Sequence, residues 1–253
     1  MAKTIIVSNR LPIKISRNEK KQLEYQTSAG GLATGLGSIY KEGNNLWIGW
    51  PGLVTSKKEE KTEIIDSIGK ESMYPIFLTE EDIKDFYEGF SNETLWPNFH
   101  YFTQYAVYEP RLWEAYKRVN RKFADEILKK AEPGDTLWIH DYQLMLVPGM
   151  LRKAQPDLSI GFFLHIPFPS YEIFRLLPWR RELLNGVLGS DLVGFHTYDD
   201  MRHFLSSVSR LAGLSSSQGQ VVVNNRQVMV DSFPMGIDYD KYAQAAASPG
   251  ALE

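Results

Sequence analysis

Cysteine is absent from the 253-residue sequence. Disulfide bonds and thiolate–metal sites are therefore excluded, and a reducing, intracellular location is the simpler expectation. Neither sign of charge dominates, because the sequence has 28 Lys and Arg residues and 31 Asp and Glu residues, which gives a net charge of −3. The chain thus lacks the basic surface field that attracts nucleic acid or an acidic membrane.

Long apolar runs are missing as well. The N-terminal segment "MAKTIIVSNR" turns polar after one short apolar run, so it is too short for a signal peptide, and no stretch reaches the roughly 20 apolar residues that cross a bilayer. We expect a soluble, cytoplasmic protein that binds neither membranes nor nucleic acid.

Hydrophobic side chains make up 43% of the residues and aromatic ones 13%, enough for the core of one large domain or two small ones. Six short runs of aliphatic or β-branched residues alternate with longer stretches of helical periodicity. Several runs are apolar throughout, which is typical of strands covered on both faces in a parallel sheet. This order predicts a Rossmann-like, doubly wound α/β domain. The predicted strands are Thr4–Val7, Leu46–Trp50, Met73–Leu78, Thr136–His140, Ser159–His165 and Leu192–His196.

Several helix boundaries can be predicted between these strands. Pro110 begins a segment whose apolar residues recur at steps of three or four, as in an amphipathic helix. Thr79 and Thr197 each stand three residues before an acid, which is typical of a capped helix start. Pro148 lies inside the helical pattern "YQLMLVPGMLRKA" and predicts a kink or an early end there.

The C-terminal part suggests one domain followed by a tail. Ser215–Gln220 is expected to be a surface loop, and the next segment a hairpin that turns at Asn224–Asn225. We see no internal repeat and no linker before that loop. The expected domain covers residues 1–240, and residues 241–253 are expected to be a shortened linker or an added tail.

Polar residues follow four of the predicted strands where each strand ends. In an open parallel sheet, ligands bind in the crevice at these carboxyl ends, so residues distant in sequence are expected to meet there. Taken one at a time, each residue fits equally well as a cap of the next helix. Together they favour a binding site. The residues are Asn9, Arg10, His140, Asp141, His165 and His196.

Two other kinds of site have weaker support in the sequence. The three histidines and one aspartate suggest a metal, but the sequence has no closely spaced ligand pair, so no metal is expected. The loop "GGLATGLG" matches neither dinucleotide nor phosphate-loop fingerprints, which disfavours a dehydrogenase or an ATPase. Gly30 and Gly31 precede a predicted helix, where free N–H groups favour an anion. From the residues alone, a flexible entry into the helix is just as good an interpretation.

Eight segments together resemble the N-terminal half of trehalose-6-phosphate synthases. They are, in order, "VSNRLP", "SAGGLATGL", "WIGWPG", "FYEGFSNETLWPNFHY", "WIHDYQLMLVP", "GFFLHIPFPSYEIFRLLPWR", "DLVGFHTYDDMRHFL" and "FPMGID". The resemblance runs from about Ile5 to Asp238. It implies the N-terminal domain of a GT-B glycosyltransferase, in which two Rossmann-like domains face each other across a cleft. It also implies retaining transfer of glucose from UDP-glucose to glucose 6-phosphate, with no cofactor and no metal.

The resemblance assigns five residues to the acceptor, glucose 6-phosphate. Arg10 is implied to bind its phosphate, since a guanidinium presents a fork of donors to phosphate oxygens. Trp50, Tyr87 and Trp96 are implied to line the pocket, although both tryptophans, from the residues alone, are more typical of a core. Asp141 is implied to accept hydrogen bonds from sugar hydroxyls and is a catalytic candidate.

The donor half of the site is implied by the same resemblance. His165 is implied to face the transferred glucose and is the second catalytic candidate, while Gly30 and Gly31 lie against UDP-glucose. Relatives continue for another domain of similar size, so a C-terminal Rossmann-like partner domain is expected and is absent from this sequence. Homo-oligomers are possible. Two alternatives remain open, namely a non-catalytic sensor of glucose 6-phosphate and a transferase with another phosphorylated acceptor such as glycerol 3-phosphate.

Overall fold

The computed structural model describes residues 2–27, 44–236 and 239–247. Its centre is a nine-stranded sheet in the order β5-β4-β1-β6-β7-β8-β11-β10-β9, beside a separate β2–β3 hairpin. The strands are β1 (Thr4–Arg10), β2 (Ile13–Arg17), β3 (Leu23–Thr27), β4 (Asn45–Trp50), β5 (Met73–Pro75), β6 (Thr136–His140), β7 (Ser159–Phe163), β8 (Leu192–Phe195), β9 (Ser216–Ser217), β10 (Gln220–Val223) and β11 (Arg226–Ser232).

The strand pairing confirms the expected doubly wound topology. From β5 to β11 all neighbouring strands are parallel, and the antiparallel pairings of this sheet are β11 with β10 and β10 with β9. The chain moves from β1 outward to β4 and β5, then returns to the other side of β1 with β6. The direction of winding therefore reverses between β1 and β6, and such a switch point is where open α/β sheets bind their ligands.

Helices cover the sheet and bring side chains to its edge. Among the described residues they are α1 (Lys58–Gly69), α2 (Glu80–Asp82), α3 (Trp96–Phe99), α4 (Pro110–Leu128), α5 (Val147–Ala154), α6 (Tyr171–Phe174), α7 (Arg180–Val187), α8 (Tyr198–Ala212) and α9 (Tyr239–Ala246). A 13-residue π-helix, Ile83–Leu95, joins α2 to α3. None of the helices in this described part is both long and apolar enough to cross a membrane.

Alternation along β1 separates the core into two clusters. Ile5 and Val7 belong to the large cluster, with most of α4 and the inner faces of β6 to β8. Ile6 points to the other face, where it packs in a smaller cluster with Trp47 and Ile64. Burial on both faces explains why β1 reads as an unbroken apolar run, as parallel strands do.

The predicted helix starts are confirmed, whereas β5 and β7 end earlier than predicted, at Pro75 and Phe163. Thr79 and Asp82 form a capping box, and the Thr197 side chain accepts a hydrogen bond from the N–H of Asp200. The helix predicted around Pro148 is split: a 3₁₀ turn at Tyr142–Leu144 precedes α5, which carries the proline in its first turn. This is where a missing N–H does no harm.

The C-terminal part differs from the prediction in two places. The hairpin turns at Asn224–Asn225 with φ of 50° and 63°, as a type I′ turn requires. However, the loop predicted at Ser215–Gln220 contains the short strand β9, because Ser216 and Ser217 pair with β10. Helix α9 occupies part of the predicted tail.

Candidate active site

Arg10 and Trp50 lie together at the carboxyl edge of the sheet. They end the neighbouring strands β1 and β4 and are paired in register. The exposed Arg10 guanidinium stands 5.4 Å from the centre of the Trp50 ring, a cation–π distance. The φ of Gly52 is +84°, and a Cβ there would lie 2.8 Å from Nη2 of Arg10. Glycine at this position therefore leaves the space that the guanidinium occupies.

Two buried polar atoms near this pair have no hydrogen-bond partner among the described residues. They are Nε1 of Trp50 and Oδ1 of Asn9, on side chains that are 9% and 8% exposed. Because buried donors and acceptors are rarely left unpaired, such atoms are candidates for contact with a ligand. Trp50 is thus both a packed aromatic, as the residues alone suggested, and a free donor at the site.

Asp141 follows β6 in a left-handed conformation, with φ of +76°. Its N–H donates to the carbonyl of Phe163 at 2.8 Å, and its Oδ1 accepts from the N–H of His165 at 3.2 Å. Burial raises the pKa of Asp141 to about 6, against the opposing effect of hydrogen bonds from Tyr142 and His165. A strained backbone and a raised pKa at one residue are both typical of functional sites.

A buried network on α4 fixes the turn that carries Asp141. Tyr116 Oη donates to the carbonyl of Tyr142 at 2.7 Å and accepts from the N–H of Met145 at 3.1 Å. Asn120 Nδ2 donates to the Gln143 carbonyl at 2.9 Å. The Asn120 side-chain oxygen accepts the next free N–H, that of Leu146, at 3.1 Å. Backbone groups that the 3₁₀ turn leaves unpaired are thereby satisfied, and the turn is held in place.

Three histidines at the ends of β6, β7 and β8 form a chain. His140 Nδ1 and His165 Nε2 are 2.9 Å apart, and the rings of His165 and His196 are 5.4 Å apart. Burial, and secondarily the neighbouring His196, lowers the pKa of His165 to about 4. Burial and the nearby His165 lower the pKa of His140 as well. Both rings are therefore neutral near pH 7.

Tyr87 is delivered by the π-helix rather than by a strand. Tyr142 connects the two regions: its hydroxyl donates to Asn92 Oδ1 at 2.9 Å. The pKa of Tyr142 is raised mainly by burial, and next by its electrostatic interactions with Asp141 and Tyr87. The π-helix approaches α4 closely at Gly89, where a Cβ would lie 2.7 Å from a Leu112 methyl group. The electrostatic effect of both residues on Tyr142 indicates that Tyr87 and Asp141 lie near the same tyrosine.

Trp96 lies in a separate aromatic stack. Its ring is 4.0 Å from that of His100 and 6.5 Å from that of Phe102, and it is 40% exposed. The prediction that Trp96 is a core residue, made from the residues alone, is therefore wrong.

Two other expectations concern the donor and a metal. Gly30 and Gly31, expected against the donor, fall outside the described residues. Within the described part of the chain, no group of three or more His, Cys, Asp or Glu side chains is arranged to hold a metal.

Comparison with known proteins identifies the family. A sequence profile of glycosyltransferase family 20 matches residues 2–252. The chain belongs to this family. The match confirms the resemblance that the sequence motifs indicated.

Individual relatives of this family 20 chain agree with that assignment. It is 47% identical to the UDP-forming alpha,alpha-trehalose-phosphate synthase of Pichia angusta, with 94% of this chain and 52% of the relative covered. An E. coli structure bound with UDP-2-fluoro glucose is similar with a TM-score of 0.81, 32% identity and coverage of 98% and 52%. The N-terminal domain of Candida albicans trehalose-6-phosphate phosphatase is similar with a TM-score of 0.82, 30% identity and coverage of 98% and 52%.

These similarities confirm the Rossmann-like domain of GT-B type that was expected. The family 20 chain spans about half the length of the relatives it matches.

Three residues that shape the site were not predicted from the sequence, namely Gly52, Tyr116 and Asn120. The signal available for Asn120 was a polar residue on the otherwise apolar face of α4, next to Val119 and one turn before Phe123.

Proposed function

We propose that this family 20 domain is the acceptor-binding half of a retaining glucosyltransferase. The reaction moves glucose from UDP-glucose to glucose 6-phosphate and yields trehalose 6-phosphate and UDP. The observation that carries the proposal is a pair of donors at the switch point, the Arg10 guanidinium and Nε1 of Trp50, with no hydrogen-bond partner in the described part of the chain. The names of the relatives, which are UDP-forming synthases, support the choice of reaction.

The phosphate of the acceptor binds at this pair. Arg10 is exposed, its head group lies over the Trp50 ring, and it forms no ion pair with a described residue. Guanidinium and indole N–H groups are donors only, so a phosphate, which is an acceptor, complements both. The family resemblance assigns Tyr87 and Trp96 to the same pocket, to which they would add a hydroxyl and an apolar ring.

The sugar hydroxyls bind at Asp141. With a pKa of about 6, this carboxyl is ionised near pH 7 and accepts hydrogen bonds from two hydroxyls. His165 faces the transferred glucose and positions it. A neutral ring with a pKa of about 4 is suited to donating a hydrogen bond. Asp141 and His165 thus act by orienting the reacting sugars, a contribution that lowers the barrier through proximity.

The donor is shared with a second Rossmann-like domain across the cleft. The family resemblance assigns Gly30 and Gly31 to the binding of UDP-glucose. The partner domain supplies the charges that neutralise the diphosphate, and the E. coli relative bound with UDP-2-fluoro glucose supports a nucleotide-sugar donor. Residues 1–240 form the acceptor domain, and the residues after 240 connect it to the second domain.

A second candidate function is a non-catalytic domain that binds glucose 6-phosphate as a signal. The observation that favours it is the Candida albicans relative, a domain of this fold in a protein named as a phosphatase. Release of UDP separates the two candidates. A transferase releases UDP only when both substrates are present, whereas a sensor binds the acceptor without turnover.

The test of the phosphate site is Arg10→Ala in the synthase that carries this domain. Loss of a charge-assisted hydrogen bond costs about 1.5–3 kcal/mol, so the KM for glucose 6-phosphate should rise about 10- to 150-fold. Arg17→Ala is the matched control, because Arg17 pairs with Glu60 on the surface at 2.6 Å. A KM within twofold of the wild type in Arg10→Ala would refute the phosphate assignment.

A further inference from the structure

His140 is a buried titratable residue for which the proposed reaction has no role. It ends β6, is 0% exposed and places Nδ1 within 2.9 Å of Nε2 of His165. The next residue, Asp141, accepts a hydrogen bond from the backbone N–H of His165. Two consecutive residues therefore hold His165 at two points, one at its ring and one at its backbone.

We propose that His140 is a positioning residue that donates Nδ1–H to His165 Nε2 and so fixes His165 as its Nδ1–H tautomer. His140 touches neither substrate in this proposal. It acts only through the orientation and the proton position of His165. The catalytic consequence rests on the proposed function of His165, whereas the hydrogen bond and the tautomer do not.

The direction of the hydrogen bond is decided by the other side of the His140 ring. Both rings are neutral, so each carries one N–H, and one ring donates while the other accepts. If His165 donated, the proton of His140 would sit on Nε2, a buried atom without a partner among the described residues. Orphaned buried N–H groups are rarer than unpaired acceptors. His140 is therefore the donor, and its Nε2 keeps only an unpaired lone pair.

The tautomer decides what His165 offers to a ligand. Its Nε2 is occupied by His140, and its Nδ1 carries hydrogen and makes no hydrogen bond within the described part of the chain. His165 therefore presents an N–H donor, which suits a sugar hydroxyl oxygen. A ring held in this state cannot take a proton at Nδ1, so His165 positions the sugar and does not act as a base there.

Long-range ¹H–¹⁵N correlation of the imidazole rings in the 253-residue chain reads the tautomer directly. The chain has five histidines, which single substitutions assign. We expect His165 in the Nδ1–H form in the wild type. His140→Asn keeps an amide donor near the position of Nδ1 and should preserve that form, whereas His140→Leu should shift His165 to the Nε2–H form that free imidazole prefers. The Nε2–H form in the wild type would overturn the proposal.

Kinetics in the synthase provide the second readout. His140→Leu should lower kcat about 10- to 100-fold, as misplacement of a supporting group does, with the acceptor KM within twofold. His140→Asn should restore most of the activity. Equal losses in both folded variants, or no loss in His140→Leu, would contradict the positioning role. If His140→Leu does not fold, the wild-type and His140→Asn spectra still decide the tautomer. If His165→Ala leaves kcat unchanged, the proposed function of His165 fails, and the tautomer remains a separate result.

Discussion

Replacing Gly52 by alanine tests whether the position of Arg10 controls acceptor binding. The new Cβ would lie 2.8 Å from Nη2 and 3.3 Å from Nε of Arg10. Both atoms belong to the far end of a flexible side chain, so the guanidinium moves away rather than the backbone. Gly52→Ala should therefore remove the proposed phosphate contact of Arg10 without deleting the arginine.

The geometry at Gly52 determines the expected change in KM and the expected change in stability. Loss of the charge-assisted contact is worth about 1.5–3 kcal/mol, or about 10- to 150-fold in KM for glucose 6-phosphate. In addition, φ at Gly52 is +84°, and a left-handed alanine costs about 1–2 kcal/mol of stability. That lowers Tm by a few degrees, at about 2–4 °C per kcal/mol for a domain of this size. The kcat at saturating acceptor should change little.

The assay is coupled UDP release in the synthase at varied glucose 6-phosphate, together with thermal unfolding. Gly134→Ala is the matched control, because its φ is +92° and the nearest atom to a new Cβ is 4.0 Å away. It lies just before β6, at the opposite edge of the sheet. The control should show the stability loss without the KM increase. If both variants lose stability and neither changes KM, the placement of Arg10 does not control phosphate binding.

Three further outcomes are expected. Acceptor KM should rise as pH falls through about 6, the pKa of Asp141, because the protonated carboxyl accepts fewer hydroxyl hydrogen bonds. The phosphate of the acceptor ionises near pH 6 as well, so Asp141→Asn should raise KM and keep only the part of the pH dependence that comes from the phosphate. A pH profile that is the same in Asp141→Asn and the wild type would contradict this role of Asp141. His165→Ala should lower kcat more than it alters acceptor KM, and a covalent glucosyl adduct trapped on this domain would contradict a positioning role. Asn120→Ala should destabilise the fold by about 2–5 kcal/mol in urea unfolding, since it leaves buried backbone groups unpaired. Arg121→Ala, at an exposed position on the same helix, should cost under about 0.5 kcal/mol. A loss below about 1 kcal/mol in Asn120→Ala would refute the importance of the network.

The strands of the central sheet could be predicted because most of them are unbroken apolar runs in the sequence. Strands such as β1 and β6 are buried on both faces, and that burial shows in the sequence as unbroken aliphatic runs. The β2–β3 hairpin escaped prediction because half of its residues face solvent and its apolar signal is short. The π-helix escaped as well, since its packing depends on the contact of Gly89 with Leu112, and no local pattern encodes that contact.

The candidate site was predictable only as a set of strand ends. Parallel topology places Arg10, Asp141 and His165 at one edge, so their proximity is a consequence of the fold class. The supporting contacts are not, because they join residues that are distant in sequence. Asn120 reaches the turn after Asp141 from α4. The role of Gly52 depends on the path of the Arg10 side chain.

The Trp50–Arg10 pair is proposed to receive the phosphate of glucose 6-phosphate, and NMR can test this directly. A ¹H–¹⁵N spectrum of the chain shows one indole N–H signal for each of its six tryptophans, and glucose 6-phosphate can be titrated against it. The Trp50 signal should move, because its buried N–H has no hydrogen-bond partner among the residues that the structure describes. Trp113, which stacks on Trp179 at 5.3 Å, should stay in place as an internal control. The shift of Trp50 should disappear in Arg10→Ala and be absent with glucose. A Trp50 signal that stays fixed at saturating glucose 6-phosphate, or that moves equally with glucose, would show that the phosphate does not bind at this pair.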